Sequence, residues 1–142
     1  MRKCPALLAV FVVALASGAD SPKEYNDAAT VAGIDGTWRL VSLEVDGRPE
    51  RFESRGTLTY RAGRFTWPDG SRGTYRIDPS TNPAQLDETA SAPEVVVPIW
   101  RNLYQRNGDT LRIACTLDQT IRPTSFAAAK GLTVFTYERV KK

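Results

Sequence analysis

The residue types that most often carry catalysis are thin in this chain. It has no histidine, so neither a Ser-His-Asp triad nor a Cys-His pair can be assembled, and the commonest zinc ligand is missing. Cys4 and Cys115 are its two thiols. Cys115 falls in phase with Leu111 and Ile113, which marks it as a small core residue with nothing to activate it. Asp87, Glu88, Glu94 and Asp118 offer carboxylates, but their spacing selects no pair for acid–base work, and they read as solvated. The expectation is a protein that is not an enzyme and uses no metal and no cofactor.

The richer chemistry is aromatic. Tyr60, Phe65, Trp67, Tyr75, Trp100, Tyr104, Phe135 and Tyr137 lie in segments that alternate like strands. Two readings of the set stand. The rings line a pocket for an apolar ligand, with hydroxyls orienting its polar end. Or they fill the interior themselves, as the side chains of an eight-strand barrel can. Arg122-Pro123 with Phe126 is a further feature, read as a loop pinned to the core by Phe126 while Arg122 meets an acid or a tryptophan ring.

The elements that must position these groups are short strands broken by Gly, Pro, Asn and Asp. Thr37 to Val45 is rich in β-formers, and its apolar phase slips between Leu40 and Val41, which predicts a bulge or a strand buried on both faces. Ala62-Gly63 joins two arms whose Leu58, Tyr60, Phe65 and Trp67 share a face. Asn107-Gly108-Asp109 is the strongest hairpin turn, and Leu132 to Val140 the closing strand. Gln85 to Thr89 is a weak strand, and Ala92 to Pro98 a proline-bounded apolar segment. The pattern gives an all-β chain of about eight strands, folded as an up-and-down antiparallel barrel or a sandwich, with no long helix.

The first residues have the three parts of an export signal: Arg2 and Lys3, the apolar run Ala6 to Ala16, and small residues Ser17-Gly18-Ala19 before a cut. Residues 1–19 are read as signal peptide, 20–35 as linker and 36–142 as one domain, exported to the periplasm or beyond with no stable membrane anchor. Loss of Arg2 and Lys3 leaves 17 basic against 16 acidic residues, a net charge of +1. No basic stripe interleaved with aromatics remains, so nucleic acid is excluded as a partner. With Cys115 alone the domain forms no internal disulfide.

Gly36-Thr37-Trp38 at the start of the first strand and Tyr137-Glu138-Arg139-Val140 at the end of the last resemble the lipocalin and calycin superfamily. That resemblance implies a closed barrel in which Trp38 plugs the base, Arg139 covers it by cation–π contact, and Gly36 permits the tight entry. The order of Gly36-Thr37-Trp38, Val45-Asp46-Gly47, Asn107-Gly108-Asp109-Thr110-Leu111, Arg122-Pro123-Thr124-Ser125-Phe126 and Glu138-Arg139-Val140-Lys141-Lys142 is similar to that of small exported lipocalin-like proteins abundant in planctomycete bacteria, mostly of unknown function. The ends also look like those of fatty-acid-binding proteins, but Phe135 stands where that family's ligand-anchoring Arg would precede Tyr137.

The expected function is non-catalytic binding of a small apolar or amphipathic ligand inside the barrel. The alternative is a cell-envelope interaction module with a filled barrel, contacting a protein partner through loops such as Asp78 to Pro98.

Overall fold

The computed structural model describes residues 33–53, 56–91 and 98–141. The segment read as an export signal, with Cys4, and most of the expected linker, Glu94 and Val95 to Val97 lie outside these residues. Nine strands are described: β1 Gly36–Val45, β2 Arg48–Pro49, β3 Leu58–Arg61, β4 Arg64–Thr66, β5 Arg72–Asp78, β6 Ala84–Ala90, β7 Trp100–Asn107, β8 Thr110–Thr116 and β9 Leu132–Arg139. No helix occurs among the described residues.

Every pairing is antiparallel and, β2 aside, joins neighbours in sequence until β9 returns to β1. Eight strands thus close an up-and-down barrel, and the two-residue β2 hangs from the end of β1. The seam runs from Trp38 opposite Arg139 to Val45 opposite Thr133. Its register shifts between Leu40 and Ser42, so the phase slip is a bulge, and Val41 faces outward. Closure leaves no long strand edge unpaired, which removes the main aggregation hazard of a sheet.

The turns fix the registers. Asp46-Gly47 (φ 55° and 80°) and Ala62-Gly63 (φ 51° and 83°) take two positive φ values each, the twist that suits a tight hairpin. Gly108 supplies the positive φ at the turn between β7 and β8.

The same registers sort the barrel's ends. Residues 33–36, 62–63, 78–83, 108–109 and 139–141 gather at the base. The turn 68–70 and the loop 117–131 gather at the opposite, upper end. The interior holds one buried cluster, including Ile34, Trp38, Leu58, Tyr60, Phe65, Leu86, Tyr104, Leu111 and Ile113. A second cluster sits on the outside of β7, β8 and β9, where the loop 117–131 folds back and lays Phe126 against Leu103, Ala114, Leu132 and Val134. Arg112 sits over the Phe126 ring at 4.9 Å. Those strands are therefore buried on both faces, which simple alternation does not reveal.

Candidate functional site

The base is built around Trp38, which is 0% exposed. Its indole N–H donates to the Ile34 carbonyl at 2.9 Å, and the Arg139 guanidinium lies 4.4 Å from the ring centroid. Arg139 also donates to the Asp35 carbonyl at 3.0 Å and pairs with Asp109 at 3.2 Å. Gly36, at φ 142°, makes room for this: a Cβ there would stand 2.2 Å from Arg139 Nη1. Arg122 is elsewhere, on the outer wall, where it pairs with Asp87 at 2.8 Å and donates to the Asn102 carbonyl at 2.9 Å.

The base needs more chain than the linker boundary at residue 35 allowed. Ile34 is buried inside the barrel, and Arg106 donates to the Gly33 carbonyl at 2.8 Å. The Tyr75 hydroxyl donates to Asp35, whose other oxygen accepts the Ala62 N–H at 3.2 Å. Gly33 to Asp35 thus form the floor. A lone isoleucine in a polar stretch gives little sequence signal of that.

Above this floor lies a cavity of about 420 Å³. Tyr60, Trp67, Trp100, Phe135 and Tyr137 line it, with Leu40, Leu58 and Ile113 between them. Pro68, Asp69 and Gln119, all from the upper end, mark its mouth. Trp67 and Trp100 stack across the lumen with centroids 4.6 Å apart, and Phe65 stacks behind Trp67 at 4.9 Å. Three rings of the sequence-read set do not line the cavity. Phe65 lies flat over Gly73, where a Cβ would come within 2.5 Å of the ring. Tyr75 turns to Asp35 at the floor, and Tyr104 is buried with its hydroxyl unpartnered.

The cavity's polar feature is Glu88, 5% exposed. This corrects its reading as a solvated carboxylate. On β6, Ala84, Leu86 and Glu88 are buried on one face, so the alternation that places Leu86 inside places Glu88 there too. Tyr60 donates its hydroxyl to Glu88, and Asn102 Nδ2 approaches Oε1 at 3.4 Å. Burial raises the carboxyl from its ordinary 4.5 to about 7, against the opposing pull of the Tyr60 hydroxyl and the Trp67 indole. No arginine or lysine lines the cavity among the described residues.

The neighbouring thiol and phenols are uncharged at neutral pH. Burial pushes the Cys115 thiol up to about 11, with Glu88 adding to the shift. Tyr60 and Tyr137 are also raised, by burial first and then by Glu88, and remain donors. Asp69 at the mouth is held below the usual carboxylate range by hydrogen bonds from Ser71. Asn102, 5% exposed, lines the cavity with Oδ1 unpartnered. Its amide has turned its N–H to the carboxylate, which leaves the carbonyl without a donor. Asn102 shares a face with Trp100 and Tyr104, and that phase was its only sequence signal.

Chemically the site is an aromatic chamber with a buried carboxylate and an unsatisfied carbonyl. Its one thiol among the described lining residues, Cys115, is raised to about 11. Among the described residues no group of His, Cys, Asp or Glu converges on a metal-sized space. Comparison with protein-family models, with curated proteins and with solved structures finds no match.

Proposed function

We propose that the protein holds a small apolar or amphipathic molecule inside a lipocalin-like barrel and performs no reaction on it. The observation that carries this reading is the cavity of about 420 Å³ walled by five aromatic rings, within the size range of small-molecule sites. The closed base suits such a role, because a sealed floor leaves the upper end as the way in. A non-catalytic role fits a thiol raised to about 11 and a carboxylate with no partner base. In the same proposal residues 1–19 act as an export signal and the barrel works beyond the inner membrane, a reading supported by Arg2, Lys3 and the apolar run Ala6 to Ala16.

The test is a titration of the native protein with Nile red, a neutral dye that brightens in apolar surroundings. Saturable binding is expected, with quenching of Trp67 and Trp100 fluorescence and a weaker response in Trp100→Ala. Dye uptake only after denaturation overturns the proposal. A second reading, an envelope interaction module, draws on Leu117 and Ile121, which are 88% and 59% exposed on the upper loop. It is favoured if Nile red is excluded while Leu117→Ser abolishes retention of an envelope partner.

A further inference from the structure

The walls of the cavity say which kind of polar group its occupant carries. Among the described lining residues the buried side-chain atom left without a partner, Asn102 Oδ1, is an acceptor, and the groups that carry charge are carboxylates. The Glu88 carboxylate has donors in Tyr60 and Asn102 but no countercharge among the described lining residues. Asn102 Oδ1 is a buried acceptor with nothing to accept. An unsatisfied acceptor and an uncompensated carboxylate in one apolar chamber both cost free energy until a donor or a cation arrives. Trp67 is covered by Phe65 and Trp100, but Tyr60, Phe135, Tyr137 and the face of Trp100 turned from Trp67 carry negative quadrupole charge, which attracts a desolvated cation. Asp69 adds a further negative charge at the mouth, and no positive side chain opposes it among the described lining residues.

We infer that the cavity is selective for an organic ammonium: a small aromatic or aliphatic amine whose N–H donors reach Glu88 and Asn102 Oδ1 while its apolar body lies among the rings. This rests on the proposal that the barrel holds a small molecule, and narrows it. A neutral alcohol would supply one donor and no charge. An anion would meet Glu88 and Asp69 with nothing to balance it.

The inference makes affinity depend on pH in one direction. The groups facing Glu88 are Tyr60 from β3, Trp67 just after β4, Asp69 from the turn that follows, Asn102 from β7, Cys115 from β8 and Tyr137 from β9. The phenols and the thiol stay protonated at neutral pH and below, and Asp69 titrates well below neutrality. Glu88 is therefore the group that changes charge as pH falls through about 7. An alkylamine remains protonated throughout that range.

The experiment displaces bound Nile red from the purified protein with three molecules of one shape: naphthylethylamine, naphthylethanol and naphthylacetate. The amine is expected to bind about tenfold or more tightly than the alcohol at slightly alkaline pH, with the acetate weakest. That preference should shrink as pH falls through about 7, where Glu88 takes up a proton. Glu88→Gln should retain Nile red and level amine and alcohol at every pH. If that variant fails to fold, the pH profile of the wild-type protein decides alone. Nile red displaced equally well by amine and alcohol, or a preference unmoved by pH, overturns the ammonium assignment and leaves the ligand-binding reading intact. Failure of Nile red itself to bind overturns that reading as well.

Discussion

The floor of the barrel and the chamber above it are built from the same materials and finished differently. At the floor, the Trp38 N–H has a carbonyl, the Arg139 guanidinium has a ring, a carboxylate and a carbonyl, and Asp35 accepts from Tyr75 and Ala62. In the chamber above, Glu88 has donors but no countercharge, and Asn102 keeps a free acceptor. A satisfied polar network fixes one structure, whereas a partly satisfied one is costly and is kept where something else completes it. The floor is the better satisfied of the two, although the buried Tyr104 hydroxyl, opposite Ala84 near the base, also lacks a partner; under the proposed function an occupant completes the chamber.

The hardest blow to the floor is Trp38→Ala. Truncating a fully buried tryptophan in a packed core costs about 3–5 kcal/mol, a large fraction of the stability of a domain this size. Urea unfolding should show that loss, with Trp38→Phe losing less. A cost no greater than that of an exposed residue would mean that the floor is not the keystone of closure.

Next in size is Glu88→Gln, which tests the chamber from the stability side. In the folded protein Glu88 keeps its proton up to about 7, whereas in the unfolded chain it releases it near 4.5. Between those values the folded state binds more protons, so this group's contribution makes stability fall as pH rises, and adds no further slope above about 7. Glu88→Gln should remove that slope and make the protein more stable than wild type by about 3 kcal/mol at mildly alkaline pH. Equal slopes in the two proteins would mean that the carboxyl is hydrated, and the contrast with the floor would vanish.

Arg139→Met follows, with an expected loss of about 1–2 kcal/mol from the cation–π contact and the hydrogen bond to Asp35. Arg139→Lys should recover only part of it, because an ammonium cannot span ring, carboxylate and carbonyl together.

What was legible from the sequence was whatever local chemistry dictates. Ala62-Gly63 and Gly108 force turns wherever they sit, and the slipped phase at Leu40 becomes a bulge because no other arrangement keeps both halves of β1 in register with β9. The closing pair, Trp38 opposite Arg139, was readable through family resemblance, since nothing within either segment says that they meet. The chamber was half legible. Its rings follow strand phase, but which of them reach the lumen depends on depth: Tyr75 and Tyr104 share that phase and lie outside the cavity lining. Glu88 was hidden by its charge. Its phase with Ala84 and Leu86 points inward, and the habit of placing carboxylates in water outweighed that phase. The floor residue Ile34 and the two-residue β2 carry no periodicity at all, being too short to show one.

The smallest effect expected is at Arg122, and it separates the roof of the chamber from the floor. The loop 117–131 carries Gln119 at the cavity mouth, and its contacts with the wall are few. They include the Arg101 N–H donating to the Gln119 carbonyl at 2.8 Å, Phe126 against the outer cluster, and the ion pair of Arg122 with Asp87 at 2.8 Å. That pair is partly exposed, so Arg122→Ala should change global stability by less than about 1 kcal/mol. Its effect should be local: faster amide hydrogen exchange at Leu117 and Ile121, whose N–H groups bond within the loop, while the Arg139 and Val140 amides at the base keep their protection. Exchange rising equally at both ends would mean that the barrel opens as one unit, and that floor and chamber are not energetically distinct.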